Sequence, residues 1–289
     1  MAKLRDIKRK IAAVRKTMQI TRAMNMVAAA KLRKVQVRTE NFVPYSQKFL
    51  EVLSHIASRI EPDIHPLLIK REEIRRVLLL LFTADRGLCG SFNANLINKA
   101  ESWIREQEDK GVKCDLILIG KKAVDYFSKK DFDIIDTYTN VYGKVDMKFI
   151  NQLSDKLINK YLEEEVDEVY MIFSRFINML KQEPTLVKLI PIEPPTEETA
   201  SSGEYLCEPS AEDLLIKLLP KHINVQIMNA FLQNETSEHA ARMTAMDNAT
   251  KNCADLIQDL TLLYNKARQA SITAELMDIV GGAEALKKA

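Results

Sequence analysis

The residues best suited to chemistry lie in a glycine-containing segment in the middle of the chain, Thr83–Asn93, with the sequence TADRGLCGSFN. This segment follows an apolar run and precedes a helical pattern, which is the position where α/β proteins bind phosphate. Asp85 and Arg86 could be catalytic, and Cys89 could be a nucleophile. The glycine spacing, however, matches neither the dinucleotide-binding nor the P-loop pattern, and Cys89 has no histidine near it in the sequence. We therefore favour a structural interpretation, in which the glycines relieve backbone strain in a tight strand-to-helix turn.

Histidine and cysteine positions argue against a metal or redox site. The four residues of each type are scattered without ligand spacing: His55, His65, His222 and His239, and Cys89, Cys114, Cys207 and Cys253. Reduced thiols and no metal or cofactor are therefore expected. The longest apolar run, Val77–Phe82, is far shorter than the roughly 20 residues that a membrane-spanning helix needs.

The middle of the chain alternates between strand and helix patterns. Strands are predicted at Arg76–Thr83, Lys113–Ile119, Phe132–Asp136, Glu168–Phe176 and Thr185–Ile192, and helices at Asn93–Lys110, Lys121–Lys129 and Asp146–Glu164. This alternation predicts a Rossmann-like α/β domain with a mainly parallel sheet over residues 75–193. Residues 194–209 are rich in Pro, Glu, Ser and Thr and are interpreted as a linker.

The two ends of the chain each carry a long heptad-like stripe, which is typical of a helix packed on a partner helix. In residues 1–60 the stripe is Leu4, Ile7, Ile11, Val14, Met18, Thr21, Asn25, Ala28, Leu32, Val35, Thr39, Phe42, Ser46, Phe49, Leu53, Ile56 and Ile60. In residues 210–289 it is Met246, Ala249, Cys253, Leu256, Leu260, Leu263, Ala267, Ala270, Ala274 and Met277. The ends are therefore predicted to form one long antiparallel coiled coil, part of which projects from the α/β domain.

Four positions modify this picture of two regular helices. Pro44 should kink the N-terminal helix, and Pro220 suggests that the C-terminal helix is kinked or restarts near Lys221. Thr21 and Asn25 are polar points on the apolar stripe, where such residues can fix the register of the pair.

The N-terminal helix is strongly basic, with twelve Lys or Arg and two acidic residues in positions 1–40. It could bind nucleic acid, present a solvated face, or face an acidic protein surface. No aromatic residue precedes Phe42, which weakens single-strand binding but leaves duplex binding open on charge alone.

Three segments resemble the gamma subunit of proton-translocating ATP synthase of the bacterial type. The most specific is Ser271–Ala285, SITAELMDIVGGAEA, in which Ile272, Thr273, Glu275, Asp278, Gly282 and Ala283 match the family signature. Ile20–Ala29 and Asp85–Gly90 resemble the same family, so the resemblance covers nearly the whole chain.

The resemblance implies a non-catalytic rotor in the central stalk, which couples ion flow through the membrane c ring to conformational change at catalytic beta subunits. The implied partners are the hexamer of alpha and beta subunits, the epsilon subunit, the c ring and, in the same complex, delta. Neither nucleic acid nor a cofactor is implied. The membrane is met only through the c ring, at the cytoplasmic face of the bacterial inner membrane.

Carried onto this sequence, the family contacts fall into two groups. Contacts to beta subunits are implied for Met24, Arg268, Gln269, Thr273 and Glu275, and contacts to the c ring or epsilon for Tyr205 and Glu208. Two rival functions are a phosphate- or nucleotide-binding enzyme that uses Asp85, Arg86 and Cys89, and a basic coiled-coil protein that binds DNA or a scaffold. Neither rival explains why long helical stripes flank a compact domain.

Overall fold

The computed structural model describes residues 2–57, 64–193, 208 and 210–288. Its helices and strands, in chain order, are α1 (Ala2–Ala57), β1 (Arg76–Phe82), α2 (Phe92–Glu108), β2 (Lys113–Ile119), α3 (Lys121–Phe127), β3 (Asp133–Tyr138), α4 (Met147–Leu162), β4 (Glu168–Phe176), β5 (Gln182–Ile190) and α5 (Ala211–Lys288). The chain forms two compact units: residues 1–28 with 243–289, and residues 29–242. The first is called the helical unit and the second the α/β unit.

The α/β unit is built on one five-stranded sheet in the order β3-β2-β1-β4-β5. Strands β3, β2, β1 and β4 are parallel, and β5 pairs antiparallel with β4. This confirms the predicted mainly parallel sheet. The central strand β1 is apolar along nearly its whole length because both of its faces are covered.

Alternate residues of β1 point into separate cores on the two faces of the sheet. Leu79 and Leu81 pack with α2 and α3, whereas Leu78, Leu80 and Phe82 pack with α4 and the first third of α5. Helices therefore cover both faces of the sheet, with α2 and α3 on one face and α4 and α5 on the other. This explains why the strand sequences are continuously apolar rather than alternating.

The boundaries of the predicted strands are displaced most at the two edges of the sheet. Strand β3 extends to Tyr138 rather than stopping at Asp136, and β5 begins at Gln182 rather than Thr185. Pro184 lies within β5, where an edge position tolerates a residue without a backbone N–H. Edge strands are half exposed, so their apolar pattern marks their ends poorly.

Phe82 anchors the core between the sheet and α5, and its removal is expected to be costly. Its ring is fully buried and meets Phe231 at 4.9 Å and Phe173 at 6.4 Å between centroids. We predict that Phe82→Ala lowers the free energy of unfolding by about 3–5 kcal/mol, since the cavity cannot close around two rigid rings. Denaturant unfolding measures this loss. The control Leu180→Ala, at a position 85% exposed, should change the value by less than about 0.5 kcal/mol.

In the helical unit, α1 and α5 run antiparallel and meet through two polar contacts. The hydroxyls of Thr21 and Thr250 lie 2.8 Å apart, and Asn25 Nδ2 donates to the Met243 carbonyl at 2.8 Å. Thr21 and Asn25 are the two polar positions singled out on the N-terminal stripe. All described members of that stripe, from Leu4 to Ile56, are buried or partly buried, which confirms the predicted face; Ile60 lies outside the described residues.

The stripe predicted on α5 is confirmed at Met246, Ala249, Cys253, Leu260 and Ala267, which are buried or partly buried, and is wrong at Leu256, Leu263 and Ala270. Leu256 and Leu263 are 41% and 49% exposed, while their neighbours Ile257 and Tyr264 turn towards the partly buried side. From Cys253 to Ala267 the predicted and observed stripes share Cys253, Leu260 and Ala267. The residue between consecutive shared members stands four positions on in the structure, rather than the predicted three. Both spacings are compatible with an α-helix, and the positions of Leu256 and Leu263 favoured the spacing that the structure does not use.

The distal part of α5 has no partner among the described residues. From Ile272 to Ala283 every side chain is exposed, including the predicted stripe members Ala274 and Met277. This stretch is a helix with apolar side chains in solvent: Ile272, Leu276, Met277, Ile279 and Val280 are each at least half exposed.

Helix α5 does not restart at Lys221, because it runs unbroken through Pro220. Ser210 caps the N-terminus of α5, because its hydroxyl accepts from the Asp213 backbone N–H at 3.1 Å. Leu215, Leu219 and Ile223 are buried in the core around the proline. Their burial offsets the roughly 3 kcal/mol that an internal proline costs. Helix α1 likewise continues through Pro44.

Neither of these two helices, nor any other helix that the structure describes, contains a stretch apolar enough to span a bilayer.

Candidate functional site

The segment that follows β1 is a rigid connector. Asp85 Oδ1 accepts from the backbone N–H groups of Lys121 and Asn140, both at 3.0 Å. The Thr83 hydroxyl accepts from the Ala123 N–H at 2.9 Å, inside the first turn of α3. These bonds tie the ends of three neighbouring strands together at the carboxyl edge of the sheet, so this carboxylate holds loops in place.

The predicted nucleophile is poorly placed for catalysis. Cys89 is buried, and burial raises the pKa of its thiol, which disfavours the reactive thiolate. Its sulfur accepts from Asn93 Nδ2 at 3.1 Å, and Asn93 Oδ1 in turn accepts from the Ala84 N–H at 2.9 Å. These contacts favour the structural interpretation of the segment. In the described part of the chain, no group of three His, Cys, Asp or Glu side chains could hold a metal ion.

A polar cleft lies beside this loop in the α/β unit, with a volume of about 340 Å³. Its lining comes from α1, the β1–α2 loop, the β3–α4 loop and α5: Lys31, Lys34, Val35, Arg38, Asp85, Arg86, Asn140, Tyr142, Gly143, Lys144, Glu235, Glu238, His239 and Arg242. The cleft therefore sits at the carboxyl ends of parallel strands, where open α/β sheets bind ligands.

Arg242 ties α5 to the loop after β1. Its guanidinium donates to Glu238 Oε1 at 2.6 Å and to the carbonyls of Arg86 and Gly87 at 3.1 and 3.3 Å. Glu238 is buried, and burial raises the pKa of its carboxyl group while Arg242 opposes that rise. One guanidinium therefore both neutralises a buried acid and satisfies two loop carbonyls.

A second buried acid ties α5 to α1. Glu235 Oε2 lies 3.7 Å from the guanidinium of Arg38, which also donates to the Val145 carbonyl at 3.3 Å. Burial raises the pKa of Glu235, and the Arg38 charge lowers it in part. His239, which directly follows Glu238 on α5, has Nε2 at 3.9 Å from Glu235 Oε1 and Nδ1 at 3.3 Å from Arg242 Nη1.

These α5 residues were missed at the sequence level. Glu235, Glu238 and Arg242 follow one another at intervals of three and four on a helix predicted to be a plain rod. Such spacing also fits a solvated face, so only the burial of the acids distinguishes the two cases.

Two buried histidines make the chain sensitive to acid. Burial lowers the pKa of His222 and of His239 to about 4, and the His222 ring stacks on Phe49 at 6.5 Å. In the unfolded chain a histidine has a pKa of about 6.5. Between pH 6.5 and pH 4 the unfolded chain therefore binds more protons than the folded chain. Each histidine therefore contributes stability that is present at neutral pH and lost as pH falls from about 6.5 towards 4.

The raised pKa values of Glu235 and Glu238 act in the opposite direction, because their protonation in the folded state stabilises it as pH falls. We predict that His222→Leu removes the contribution of His222 to the pH dependence and leaves those of His239, Glu235 and Glu238 in place. The stability of the variant relative to the parent should rise by about 2 kcal/mol between pH 7.5 and pH 5. Urea unfolding of both proteins at the two pH values measures this difference. An unchanged difference would mean that His222 titrates normally in the folded chain.

The residues implied as contacts to beta subunits fall into two separate places in the helical unit. Met24 is partly buried on α1, close to the Thr21–Thr250 contact. Arg268, Gln269, Thr273 and Glu275 are exposed on α5. Because Arg268 lies eighteen residues beyond Thr250 on one helix, the two places are roughly 27 Å apart along the axis.

The residues implied as contacts to the c ring or epsilon are only partly described. Tyr205 lies outside the described residues, whereas Glu208 is exposed just before α5 begins. The structure therefore assembles no site around them.

Comparisons with known proteins place these features in a family. A family model described as ATP synthase matches residues 3–286. Two proteins named ATP synthase gamma chain, from Syntrophus aciditrophicus and Syntrophobacter fumaroxidans, are 49% and 51% identical over 292 aligned positions, which cover all of this chain and all of theirs.

Solved structures agree at the level of fold. A chain of the Euglena gracilis mitochondrial ATP synthase, in a structure of its OSCP, F1 and c ring, matches with a TM-score of 0.67 and 22% identity, over 99% of this chain and 95% of that one. A chain from a structure titled rotor of the same enzyme matches with a TM-score of 0.63 and 22% identity, over 94% of this chain and 99% of that one. Together with the full-length matches to bacterial relatives, these findings show that this chain belongs to the ATP synthase gamma-chain family.

Proposed function

We propose that this chain is the rotor subunit in the central stalk of an ATP synthase. In this role it couples ion flow through the c ring to conformational change at catalytic beta subunits and catalyses nothing itself. The observation that carries the proposal is the antiparallel pairing of the two chain ends in the helical unit, next to a stretch of α5 whose apolar side chains have no described partner. The shared fold with a chain from a structure titled rotor supports it.

The proposal assigns the beta-subunit contacts to the exposed residues of α5 and to Met24. The side chains of four of these residues are exposed on α5: Arg268, Gln269, Thr273 and Glu275. Within α5 they make local hydrogen bonds, from Ser271 to Glu275 and from Thr273 to the Gln269 carbonyl. They are therefore free to meet loops of a surrounding alpha and beta hexamer. Rotation of an asymmetric rod would present a different surface to each beta subunit, which biases the populations of its open and closed states.

We propose that Tyr205 and Glu208 contact the c ring or the epsilon subunit. The delta subunit would belong to the same complex. The division into a helix at 1–60, an α/β domain at 75–193, a linker at 194–209 and a helix at 210–289 belongs to the same proposal. The chain would lie at the cytoplasmic face of the bacterial inner membrane and meet it only through the c ring. No nucleic acid takes part.

Isolation from the native membrane tests this assignment. The chain, tagged and purified after mild detergent extraction, should bring with it alpha, beta, epsilon and c subunits in constant proportion. Recovery of the chain without alpha and beta, or with DNA that high salt removes, would contradict the proposal.

Met24 offers a sharper test of the contact with beta. We predict that Met24→Lys lowers proton-driven ATP synthesis by about fivefold, because a new cation would hold an acidic partner surface too strongly and impede rotation. Synthesis in inverted membrane vesicles measures the effect. The control Met26→Lys adds the same charge to the same helix at a position 60% exposed, and should have a smaller effect. Equal synthesis by the Met24→Lys variant and the parent would remove Met24 from the contact.

A further inference from the structure

The polar cleft of the α/β unit carries an excess of positive charge. Six cationic side chains and three carboxylates line it. The three carboxylates already have partners: Glu238 is bound by Arg242, Glu235 faces Arg38, and Asp85 accepts from two backbone N–H groups. The charge that remains uncompensated is positive.

Four of the cations make no direct side-chain bond, although Lys31 stands close enough to Glu235 and Glu238 for its charge to lower the pKa of both. The side chains of Lys31, Lys34, Arg86 and Lys144 make no ion pair or hydrogen bond with any residue that the structure describes. They come from three separate walls: two from α1, one from the loop after β1 and one from the loop after β3. All four are solvent-exposed, which keeps their mutual repulsion weak and leaves them accessible to an anion from solution.

The walls that carry these cations are held in place. Arg242 fixes α5 to the carbonyl of Arg86 itself, at 3.1 Å, and Asp85 bonds to the loop after β3 at Asn140. Arg38 joins α1 to the same loop through the Val145 carbonyl. An anion entering the cleft would therefore meet preorganised walls, which reduces the entropic cost of binding.

We propose that the polar cleft binds a phosphate-bearing anion, with Lys31, Lys34, Arg86 and Lys144 as its ligands. A multiply charged anion with oxygens pointing in several directions can contact three walls at once, and the planar Arg86 guanidinium matches two phosphate oxygens. The cavity of about 340 Å³ accommodates pyrophosphate or the phosphate chain of a nucleotide. This site is independent of the proposed rotor function.

Calorimetric titration of the full chain with sodium pyrophosphate tests the proposal at constant ionic strength. Saturable binding of one anion per chain is expected. The double variant Lys31→Gln with Arg86→Gln should weaken it by at least about tenfold, because each charge-assisted contact is strong. The matched control is Arg33→Gln, which removes a charge from an exposed position of α1 outside the cleft and should leave the affinity unchanged within about twofold.

Further titrations identify the source of the phosphate. Similar affinities for pyrophosphate and ATP would indicate that the phosphates alone are recognised, whereas ATP binding at least about tenfold tighter would indicate a nucleotide. Either result supports the site if the double variant weakens the binding of both pyrophosphate and ATP. Absence of saturable binding, an equal loss in Arg33→Gln, or binding of a glutamate-rich peptide that pyrophosphate does not displace would overturn the proposal.

Discussion

Deletion of residues 270–289 is expected to lower proton-driven ATP synthesis by about tenfold while leaving the α/β unit folded. The deleted stretch belongs to the helical unit, and its described side chains from Ile272 to Ala283 are all exposed. In the proposed rotor these exposed apolar side chains meet the alpha and beta subunits, so their loss removes the surface that transmits rotation. Synthesis is measured in vesicles that contain the complex with the shortened chain.

The stability of the shortened chain provides the control. The two cores of the α/β unit are formed by residues between 29 and 242, so the main denaturant transition should shift by less than about 0.5 kcal/mol. Unfolding of the α/β unit on deletion would show that the division of the chain is wrong. Full synthesis with a correctly assembled complex would instead show that the end of α5 transmits nothing.

Gly120→Ala is expected to destabilise the α/β unit by at least about 4 kcal/mol. A Cβ atom at this position would stand 2.1 Å from the Thr83 carbonyl oxygen and 2.7 Å from its carbon. Both are backbone atoms at the end of β1, and the Gly120 φ of +98° is itself unfavourable for alanine. Relief requires β1 and the start of α3 to move apart, which breaks the Thr83 bond to Ala123.

Gly111 provides a matched comparison for this substitution. It also has a positive φ, +79°, but nothing lies within 4 Å of the Cβ that alanine would add. Gly111→Ala should therefore cost only the backbone strain of about 1–2 kcal/mol. Thermal unfolding of both variants separates the two effects. Equal losses of stability in the two variants would contradict the close approach of Gly120 to the Thr83 carbonyl.

The α/β unit was predictable because its strands carry an unambiguous signal. The residues of β2 and β4 were located without error, since runs such as those around Leu116 and Ile172 are too apolar and too short for anything but buried strands. The edge strands β3 and β5 were displaced because half of their side chains face solvent. Pairing partners at an edge, rather than the pattern of the strand itself, decide where it ends.

The helices show the opposite limit. The α1 face was found in full because its polar members Thr21 and Asn25 kept the spacing continuous. On α5, Leu256 and Leu263 predicted one spacing, whereas Ile257 and Tyr264 are the partly buried residues. Both spacings fit an α-helix, so the sequence pattern alone does not select between them.

Of the candidate sites, the sequence located the loop after β1 but misjudged what surrounds it. The polar cleft depends on residues about 150 positions apart, such as Arg86 and Arg242, and no local pattern links them. Burial of Glu235 and Glu238 is a tertiary property as well. The residues carried over from the family resemblance remain proposals, because their partners are other proteins.

Observation of single complexes tests the central claim most directly. A fluorescent or bead label is fixed to an exposed residue of this chain, the alpha and beta subunits are attached to a surface, and ATP is supplied. The rotor assignment predicts that the label turns in one direction, and that a cross-link between Glu275 and a beta subunit stops both the turning and ATP hydrolysis. A label that stays still while ATP is hydrolysed at the normal rate would contradict the assignment.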